Sequence, residues 1–443
     1  MRYEIPHFDP GCGIKRLLRR TNVRKMEGEA LDRVILHCDL NSFYASVELL
    51  DRPDLVGKAV AVCGSVEDRH GIVLAKSDLA KRYGVRTGEP VWQAKQKCYD
   101  LVILPPHYDK YVVWSDEVQK IYCRYTDQVE SFGMDECWLD VTGSRLLFGD
   151  GERIAHDIRE TVKRETGLTI SVGVSFNKVF AKLGSDMKKP DAVTCIPRDC
   201  FKELIWDLPV GEMFGVGPSC AKTLWKYGIA TIGQLAALDV EFCRRTLGKI
   251  GGSIWAAANG MADISVARYG DYAPIKSIGH GNTTKRDMVN NDEVRAMFFD
   301  LSQDVSHRLR QARLCATKVQ ICIKNNELSS RDAQCPLAVP TQNWRDLAMA
   351  GYALFLKVYR WEHPIRALTI RAIDLVDEGR GYQTDLFFSE YEHERQDKRE
   401  LALEGIRHRY GKESINIASL VGIQPFPATP ETVFNALPVP HLH

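Results

Sequence analysis

The sequence has almost no net charge, because 59 lysines and arginines are balanced by 58 aspartates and glutamates. Attraction to nucleic acid therefore cannot be inferred from bulk charge, and any basic surface has to be local. The sequence also lacks a run of roughly 18–20 apolar residues, the length that a membrane-spanning helix needs. We expect a protein that does not insert into a membrane.

Cysteine is abundant but lacks the spacing of a metal site or of a disulfide framework. The 13 cysteines include no C-x-x-C pair and no cluster with histidine at zinc-ligand spacing. Residues 1–30 contain a basic run, Lys15–Arg20, but no apolar stretch of the length found in targeting peptides. These features predict reduced thiols and a cytoplasmic protein.

A chain of 443 residues is too long for one compact core, so two to four domains are expected. Between residues 31 and 197, the hydrophobic pattern predicts the order β-α-β-β-α-β, which is the split βαβ arrangement of a ferredoxin-like sheet. Residues 53–104 interrupt this order and are predicted to form an inserted subdomain. The six predicted elements are Val34–Asp39, Tyr108–Tyr125, Val129–Phe132, Cys137–Val141, Gly151–Glu165 and Thr169–Ser175.

The rest of the chain is predicted to hold two further regions. Residues 200–270 have a helical pattern that is punctuated by glycines. Beyond Pro274, four predicted strands and two predicted helices, Asp292–Gln311 and Thr341–Trp361, indicate a second small α/β unit. A charged helix, Glu392–Tyr410, is predicted near the C-terminus. The predicted fold class is therefore multidomain α/β.

Two short stretches place acidic side chains at the ends of predicted strands. In HCDLNSFYASVE, Asp39 ends a buried strand, and Phe43 and Tyr44 follow where a helix begins. In SFGMDECWLD, Asp135 and Glu136 occupy the predicted hairpin turn. In a split βαβ sheet the first strand lies beside that hairpin, so we expect the three carboxylates to meet.

Three neighbouring carboxylates repel one another unless positive charge lies among them. Two divalent cations with oxygen ligands would satisfy them, and Mg²⁺ suits such a site when substrate phosphates complete its coordination. A second interpretation stays open from the pattern alone. In that interpretation, Asp39 caps the following helix, and Asp135 and Glu136 merely suit an exposed turn.

Together with GVSFNKVFAKLGSDMKKP, residues 173–190, these stretches make the chain resemble the Y-family translesion DNA polymerases. The resemblance is greatest to the branch of the bacterial DNA polymerase IV and UmuC-like proteins. It implies a right-hand polymerase with a ferredoxin-like palm, small fingers, a helical thumb with a helix-hairpin-helix, and an α/β little finger. The implied boundaries are an N-terminal extension at 1–30, palm at 31–52 and 105–200, fingers at 53–104, thumb at 201–272, little finger at 273–380 and a tail at 381–443.

The resemblance also implies a role for each residue that matches the family motifs. The ligands of two Mg²⁺ ions fall on Asp39, Asp135 and Glu136, and the backbone carbonyl of Leu40 completes one site. Tyr44 matches the ring that lies under the sugar of the incoming nucleotide and excludes a 2′-hydroxyl. The alternative for Tyr44 is a helix residue that packs on the palm.

Lysines are the other residues assigned to the nucleotide. Lys178 matches a lysine that reaches the triphosphate, a role that a compact ammonium charge suits, and its alternative is a surface lysine at a helix start. In the fingers, the stretch LAKSDLAKRYG departs from the family pattern, because Ala75, Asp78 and Lys81 stand where Thr, Tyr and Arg are common. Lys81 keeps the charge of arginine without its two-pronged hydrogen bonding, and Lys76 is a candidate to compensate.

Three further groups of residues are assigned to macromolecular partners. Gly215 and Gly217 resemble the thumb hairpin whose backbone N–H groups contact DNA phosphate, and a tight turn without a DNA role is the alternative. Gln383, Leu386 and Phe387 resemble the Q-x-x-L-F peptide that docks bacterial polymerases into the sliding clamp, and a segment folded back on the little finger is the alternative. Candidates for following the duplex backbone are Lys276, Lys285, Arg286, Arg308, Arg310, Arg313 and Arg331.

The sequence thus predicts a monomeric, template-directed DNA polymerase that adds deoxynucleoside triphosphates to a primer opposite damaged templates. The primer 3′-hydroxyl attacks the α-phosphate and pyrophosphate leaves. No exonuclease-like domain is predicted, so proofreading is not expected. Two alternatives stay open: a nucleotidyl cyclase, which shares the palm and the paired carboxylates, and an inactive, clamp-tethered DNA-binding protein.

Overall fold

The computed structural model describes residues 32–66, 69, 71–262, 264–380, 390–411, 414, 415, 417 and 418. The N-terminal extension, the clamp-like peptide at 383–387 and most of the chain beyond residue 411 lie outside these residues. Within the described part, no helix combines the length and the apolar character that crossing a bilayer requires.

The described chain is built from both strands and helices. The strands are β1 (Ile35–Leu40), β2 (Val60–Cys63), β3 (Val73–Lys76), β4 (Val102–Leu104), β5 (Val129–Ser131), β6 (Glu136–Asp140), β7 (Ile170–Ser175), β8 (Val193–Ile196), β9 (Ser277–Met288), β10 (Leu314–Asn325), β11 (Ser330–Thr341) and β12 (Ile365–Asp377). The helices are α1 (Phe43–Leu50), α2 (Asp78–Arg82), α3 (Val91–Lys97), α4 (Tyr108–Tyr122), α5 (Arg145–Phe148), α6 (Gly151–Thr166), α7 (Lys178–Met187), α8 (Phe201–Ile205), α9 (Pro218–Trp225), α10 (Ile232–Ala236), α11 (Val240–Leu247), α12 (Lys249–Ala258), α13 (Asn291–Gln311), α14 (Trp344–Val358) and α15 (Glu390–Tyr410).

The first part of the chain builds a five-stranded sheet of order β5-β6-β1-β7-β8, here called the five-stranded unit with the helices that cover it. Strand β1 lies at its centre and pairs antiparallel with both β6 and β7. This order confirms the predicted ferredoxin-like arrangement. Strand β8, which pairs parallel with β7, is an addition that the hydrophobic pattern does not predict.

Alternate residues of β1 face opposite sides of this sheet, as the pleat of a strand requires. Leu36 and Cys38 are buried in the main core with side chains of α4 and α6. Ile35 and His37 face the other side, where α7 packs across the sheet. Asp39 shares that second side, so it belongs to the face that α7 covers.

Helix α7 lies very close to the sheet because β7 contains Gly173. A Cβ atom at this position would lie 1.9 Å from a backbone oxygen of α7, so only glycine fits. This contact fixes the rotation of the helix, and side chains four and three residues apart then share one face. Lys178, Lys182 and Ser185 face the sheet, and Lys189 follows just beyond the helix end. We call these four residues the α7 stripe.

Residues 53–104 form the inserted unit, a sheet of order β3-β2-β4 with helices α2 and α3 packed on it. The insertion is as predicted, although the pattern does not indicate α3 and β4. Helices α8 to α12 form the helical unit, and their hydrophobic core also includes side chains of α7 and β8. The long glycine-punctuated region is therefore helical, as expected.

The second small α/β unit, here called the four-stranded unit, has strand order β11-β10-β12-β9. Val319, Ile321 and Ile323 of β10 are buried with side chains of α13 and α14, so both helices cover the same face. Helix α15 packs on this unit through Glu404, which forms ion pairs with His307 and Arg310 of α13. The charged C-terminal helix is thus part of the packed structure.

Candidate active site

The structure brings the three predicted carboxylates together at one end of β1. Asp39 lies directly opposite Glu136 in the pairing of β1 with β6. The backbone N–H of Leu40 donates to the carbonyl oxygen of Asp135 at 2.9 Å, which ties the turn to the strand end. Helix α1 begins after Ser42 without a side-chain cap, so Asp39 does not cap that helix.

A cavity of about 440 Å³ opens beside these carboxylates. The inserted unit supplies its opposite wall, so the cavity lies between two parts of the fold. Six of the residues predicted for the site line this one cavity. They are Asp39, Leu40, Tyr44, Lys81, Asp135 and Glu136. Ala75, Lys76, Asp78 and Lys189 line it as well.

Burial and mutual repulsion raise the pKa of Asp39 to about 7, although the nearby Lys189 opposes this shift. Burial likewise raises the pKa of Asp135, with the charge of Glu136 adding to the effect. Burial alone would raise the pKa of Glu136 too, but His37 and Lys182 reverse the shift and lower that pKa to about 2. The site therefore holds negative charge at Glu136 most firmly.

Lysines neutralise two of the three carboxylates. Lys189 donates to Oδ2 of Asp39 at 2.8 Å, and Lys182 forms an ion pair with Oε2 of Glu136. Across the residues that the structure describes, no three His, Cys, Asp or Glu side chains converge closely enough to hold an ion. The potential metal ligands in the cavity are all oxygen atoms, which suit a hard cation such as Mg²⁺. Asp39 becomes available as a ligand when Lys189 no longer binds it.

Tyr44 presents a fixed aromatic ring to the cavity. The ring stacks on Tyr111 with centroids 4.2 Å apart and planes 8° from parallel, and its edge meets Tyr108 at 5.9 Å. Its hydroxyl lies 3.7 Å from Sδ of Met134, and burial raises the pKa of Tyr44 to about 12. Phe43 also borders the cavity, but it is buried in the main core, whereas Tyr44 is only partly buried against that core.

Lys178 does not reach the cavity, so the structure contradicts its assignment to the triphosphate. Its ammonium donates to Oε1 of Glu130 at 2.6 Å, and both side chains are almost fully buried, at 5% and 3% exposure. The same ammonium lies 4.4 Å from the ring centroid of Trp138. The other oxygen of Glu130 accepts from the backbone N–H of Ala267 at 2.8 Å. Lys178 is part of an internal ion pair on the α7 side of the sheet and is not among the residues that line the cavity.

The inserted unit offers the cavity two lysines instead. Lys76 donates to the hydroxyl of Thr87 at 3.0 Å. Within the described chain, neither Lys76 nor Lys81 has an ion-pair partner at salt-bridge distance. Burial lowers the pKa of Lys76, and the charge of Lys81 lowers it further. Two ammonium groups that repel each other on one wall of a cavity form a site that favours an anion. Asp78 also lines this wall and accepts from the Ser42 hydroxyl at 3.5 Å.

The predicted glycine hairpin lies in the helical unit. Gly215 has a φ of 93°, a conformation that favours glycine, and Gly217 precedes Pro218 at the first turn of α9. A Cβ atom at either glycine would meet nothing within 4 Å, so the backbone is open on this side. The residue before the hairpin, Phe214, packs against the five-stranded unit.

The sequence alone assigns no role to Lys182 and Lys189 of the α7 stripe, although both lie in the stretch that carries the family resemblance. The spacing of four residues between Lys178 and Lys182 places both on one side of α7, and this spacing is the signal that would have found Lys182. Lys189 follows the end of the helix. Gln383, Leu386 and Phe387 fall outside the described residues.

Two family descriptions match this chain. The impB/mucB/samB family matches residues 38–186, and the impB/mucB/samB family C-terminal domain matches residues 275–386. DNA polymerase IV of Acetivibrio thermocellus is 50% identical over 385 residues, which cover 87% of this chain and 96% of that protein. DNA polymerase IV 1 of Bacillus subtilis is 36% identical over 387 residues, which cover 86% of this chain and 92% of that protein.

A solved structure, the Y-family DNA polymerase chimera Dbh-Dpo4(243-245)-Dbh, superposes on this fold with a TM-score of 0.69. The superposition covers 78% of this chain and all of the other, at 18% sequence identity. At that identity the likeness concerns the fold alone.

Proposed function

Because this chain belongs to the impB/mucB/samB family of Y-family DNA polymerases, we propose that the cavity beside β1 is its polymerase active site, with Asp39, Asp135 and Glu136 as the catalytic carboxylates. The chain is a DNA-directed DNA polymerase that performs translesion synthesis. The observation that carries the proposal is the direct pairing of Asp39 with Glu136 beside a cavity walled by lysines.

The division into polymerase parts follows the same proposal. The five-stranded unit corresponds to the palm at 31–52 and 105–200, and the inserted unit to the fingers at 53–104. The helical unit corresponds to the thumb at 201–272, and the four-stranded unit to the little finger at 273–380. The four-stranded unit has a hydrophobic core of its own, which supports its boundary, whereas the core of the helical unit also includes side chains of α7 and β8.

We assign the three carboxylates and the Leu40 carbonyl to two Mg²⁺ ions. With two Mg²⁺ ions bound, the site would supply the positive charge that favours deprotonation of the attacking hydroxyl and neutralises the leaving phosphate. The protein contributes rigidity, because Asp39 and Glu136 extend from two paired strands rather than from loops. Lys182 and Lys189 hold these carboxylates in defined positions before a substrate arrives.

Tyr44 is proposed as the platform that excludes a ribose 2′-hydroxyl. Steric exclusion needs a side chain that cannot move aside, and parallel stacking on Tyr111 meets this requirement. Tyr111 is itself held by a hydrogen bond from its hydroxyl to Glu48 at 2.5 Å. The support therefore comes from a second ring and a buried carboxylate behind it.

The triphosphate is proposed to lie against Lys76, Lys81 and Lys189. All three line the cavity, and phosphate oxygens are natural partners for their ammonium groups. On binding of a nucleotide, Lys189 would leave Asp39 and contact a phosphate oxygen. Lys76 and Lys81 would bind the same triphosphate from the opposite wall of the cavity. This assignment replaces Lys178 with residues that face the nucleotide.

Duplex DNA is proposed to contact the glycine hairpin at Gly215 and Gly217 and one face of the four-stranded unit. Lys318, Lys324 and Arg371 lie on the sheet face opposite α13 and α14, which suits a phosphate backbone, although Lys318 also pairs with the exposed Asp374 at 2.7 Å. Two of the basic residues that the sequence predicts to contact DNA instead bind other parts of the protein. Arg308 donates to the carbonyl oxygen of Gly279 at 2.6 Å, and Arg310 pairs with Glu404 beneath α15.

The clamp-like peptide is proposed to tether a monomeric polymerase to a sliding clamp. Its glutamine, Gln383, would hydrogen-bond while Leu386 and Phe387 fill an apolar pocket. The supporting observation is position, because the peptide follows the last strand of the four-stranded unit at Asp377.

The function is tested by primer extension with Mg²⁺ on undamaged and lesion-bearing templates. We expect template-directed addition of deoxynucleotides on both. Turnover of nucleoside triphosphate without a primer-template would instead indicate a nucleotidyl cyclase. Binding of DNA without any extension would indicate an inactive, clamp-tethered protein.

A further inference from the structure

We infer that Lys182 is a positioning residue for Glu136, and that Phe214 of the helical unit holds this lysine in place. The inference rests on the proposed role of Glu136 as a metal-binding carboxylate. It extends that role by linking the carboxylate to the part of the chain that carries the glycine hairpin.

The first observation is the environment of Lys182. Its ammonium forms an ion pair with Oε2 of Glu136, and both side chains are largely buried. The ammonium also lies 5.1 Å from the ring centroid of Phe132 and 5.9 Å from that of Phe214. A lysine between two aromatic faces and one carboxylate has little freedom to move. The geometry therefore fixes the direction of the Glu136 carboxylate.

The second observation is that His37 lies farther from the Glu136 carboxylate than Lys182 does. The Ser185 hydroxyl donates its single proton to the carbonyl oxygen of Lys182 at 2.8 Å, so Nδ1 of His37, also at 2.8 Å, has to donate to that hydroxyl. In the neutral ring, Nε2 then carries no proton. It lies 3.6 Å from Oε2 of Glu136, too far for a hydrogen bond. Lys182 is the group that binds this oxygen.

The third observation is the position of Phe214. Its ring meets Phe132 at 5.4 Å and Trp138 at 5.7 Å, both edge-on, so it is inserted into the five-stranded unit. The next residue is Gly215, where the proposed DNA-binding hairpin begins. One aromatic side chain thus connects the hairpin to the lysine that holds Glu136.

Two opposite effects follow from this arrangement. Lys182 orients the carboxylate, and loss of an orienting partner typically lowers activity about 10–100-fold. The same lysine adds positive charge beside a cation site, so its removal strengthens the attraction for a divalent ion. Loss of turnover together with undiminished metal affinity is therefore the signature of positioning. Damage to the fold would weaken both.

The test compares Lys182→Met with Lys182→Arg and with Lys188→Met, which removes the same charge at the exposed end of the same helix. Single-nucleotide insertion gives kcat and KM, and titration with Mn²⁺ alone, followed by electron paramagnetic resonance, gives metal affinity. We expect Lys182→Met to lower kcat about 10–100-fold with KM within about twofold, and with Mn²⁺ affinity equal to or above that of the wild type. Lys182→Arg should restore most of kcat, and Lys188→Met should match the wild type.

The role of Phe214 is tested by a double-mutant cycle of Lys182→Met with Phe214→Leu, read as kcat. If the Phe214 ring acts through Lys182, the fold-decrease of kcat in the double variant should be smaller than the product of the fold-decreases in the two single variants. Independent, multiplicative losses would overturn the link to Phe214. Wild-type kcat in Lys182→Met, or a parallel loss of kcat and Mn²⁺ affinity, would overturn the positioning role. Full activity of Glu136→Gln would instead contradict the proposed metal ligand, so the two failures are distinguishable.

Discussion

Replacing Lys178 with Met separates the role that the sequence suggests for this residue from the one that its surroundings indicate. Methionine keeps the length of the side chain but removes the ammonium that is 2.6 Å from Glu130. Glu130 then remains a charged group at 3% exposure, with the Ala267 N–H as its remaining hydrogen-bond donor. Removing one partner of a buried ion pair typically costs about 3–5 kcal/mol. We expect a loss near 3 kcal/mol, because that N–H still stabilises the carboxylate.

The measurement is the free energy of unfolding in urea, followed by circular dichroism, together with KM for the incoming deoxynucleotide. We expect lower stability and a KM within about twofold of the wild type, because the lysine lies outside the cavity. The double variant Lys178→Met with Glu130→Leu serves as the control. It should recover most of the lost stability, since replacing both members of a buried pair by apolar groups is often neutral.

One result would refute this reasoning. If Lys178→Met unfolded with the wild-type free energy while KM rose about tenfold, equivalent to about 1.4 kcal/mol of lost binding, the lysine would have to reach the nucleotide. The ion pair with Glu130 would then be a resting contact that the substrate displaces.

Three further predictions concern the site and its partners. Asp135→Asn should abolish primer extension while the dissociation constant for primer-template in a gel-shift assay changes less than about threefold, and normal extension would remove this residue from the site. Tyr44→Ala should raise ribonucleotide insertion far more than it lowers deoxynucleotide insertion, whereas Phe43→Ala should cost about 3–5 kcal/mol of stability and leave sugar discrimination unchanged. Replacing Leu386 and Phe387 together with Ala should leave extension unchanged without a clamp and remove stimulation by a sliding clamp, because tethering acts through effective concentration. Persisting stimulation would show that the peptide has another task.

Much of the catalytic sheet can be predicted from sequence because its signals are local. A buried strand ending in Asp39, a short hairpin around Asp135, and helices of regular period between them leave few topologies to consider. The pairing of Asp39 with Glu136 follows from that topology, and the structure has it. The inserted unit is less predictable, since its strands have only three or four residues and carry little periodicity.

The assignment of the lysines shows where sequence reasoning stops. Lys178 and Lys189 lie in the same stretch and have the same chemistry, and nothing in their identity says which one faces the cavity. The choice depends on how far α7 is rotated on the sheet, and Gly173 decides that rotation through a backbone contact. Such a contact involves residues distant in the sequence, so a pattern within one helix cannot reveal it.

The α7 stripe has a consequence for the kinds of mutation that this segment can accept during evolution. Substitution changes one side chain, but inserting a single residue into α7 turns every later position by about 100° around the helix axis. Lys182 and Ser185 would swing off Glu136 and His37 together, and Lys189 would leave Asp39. The close approach at Gly173 prevents the helix from sliding to recover the alignment. Length in this segment should therefore be more strictly preserved among descendants of this gene than the identity of most of its residues.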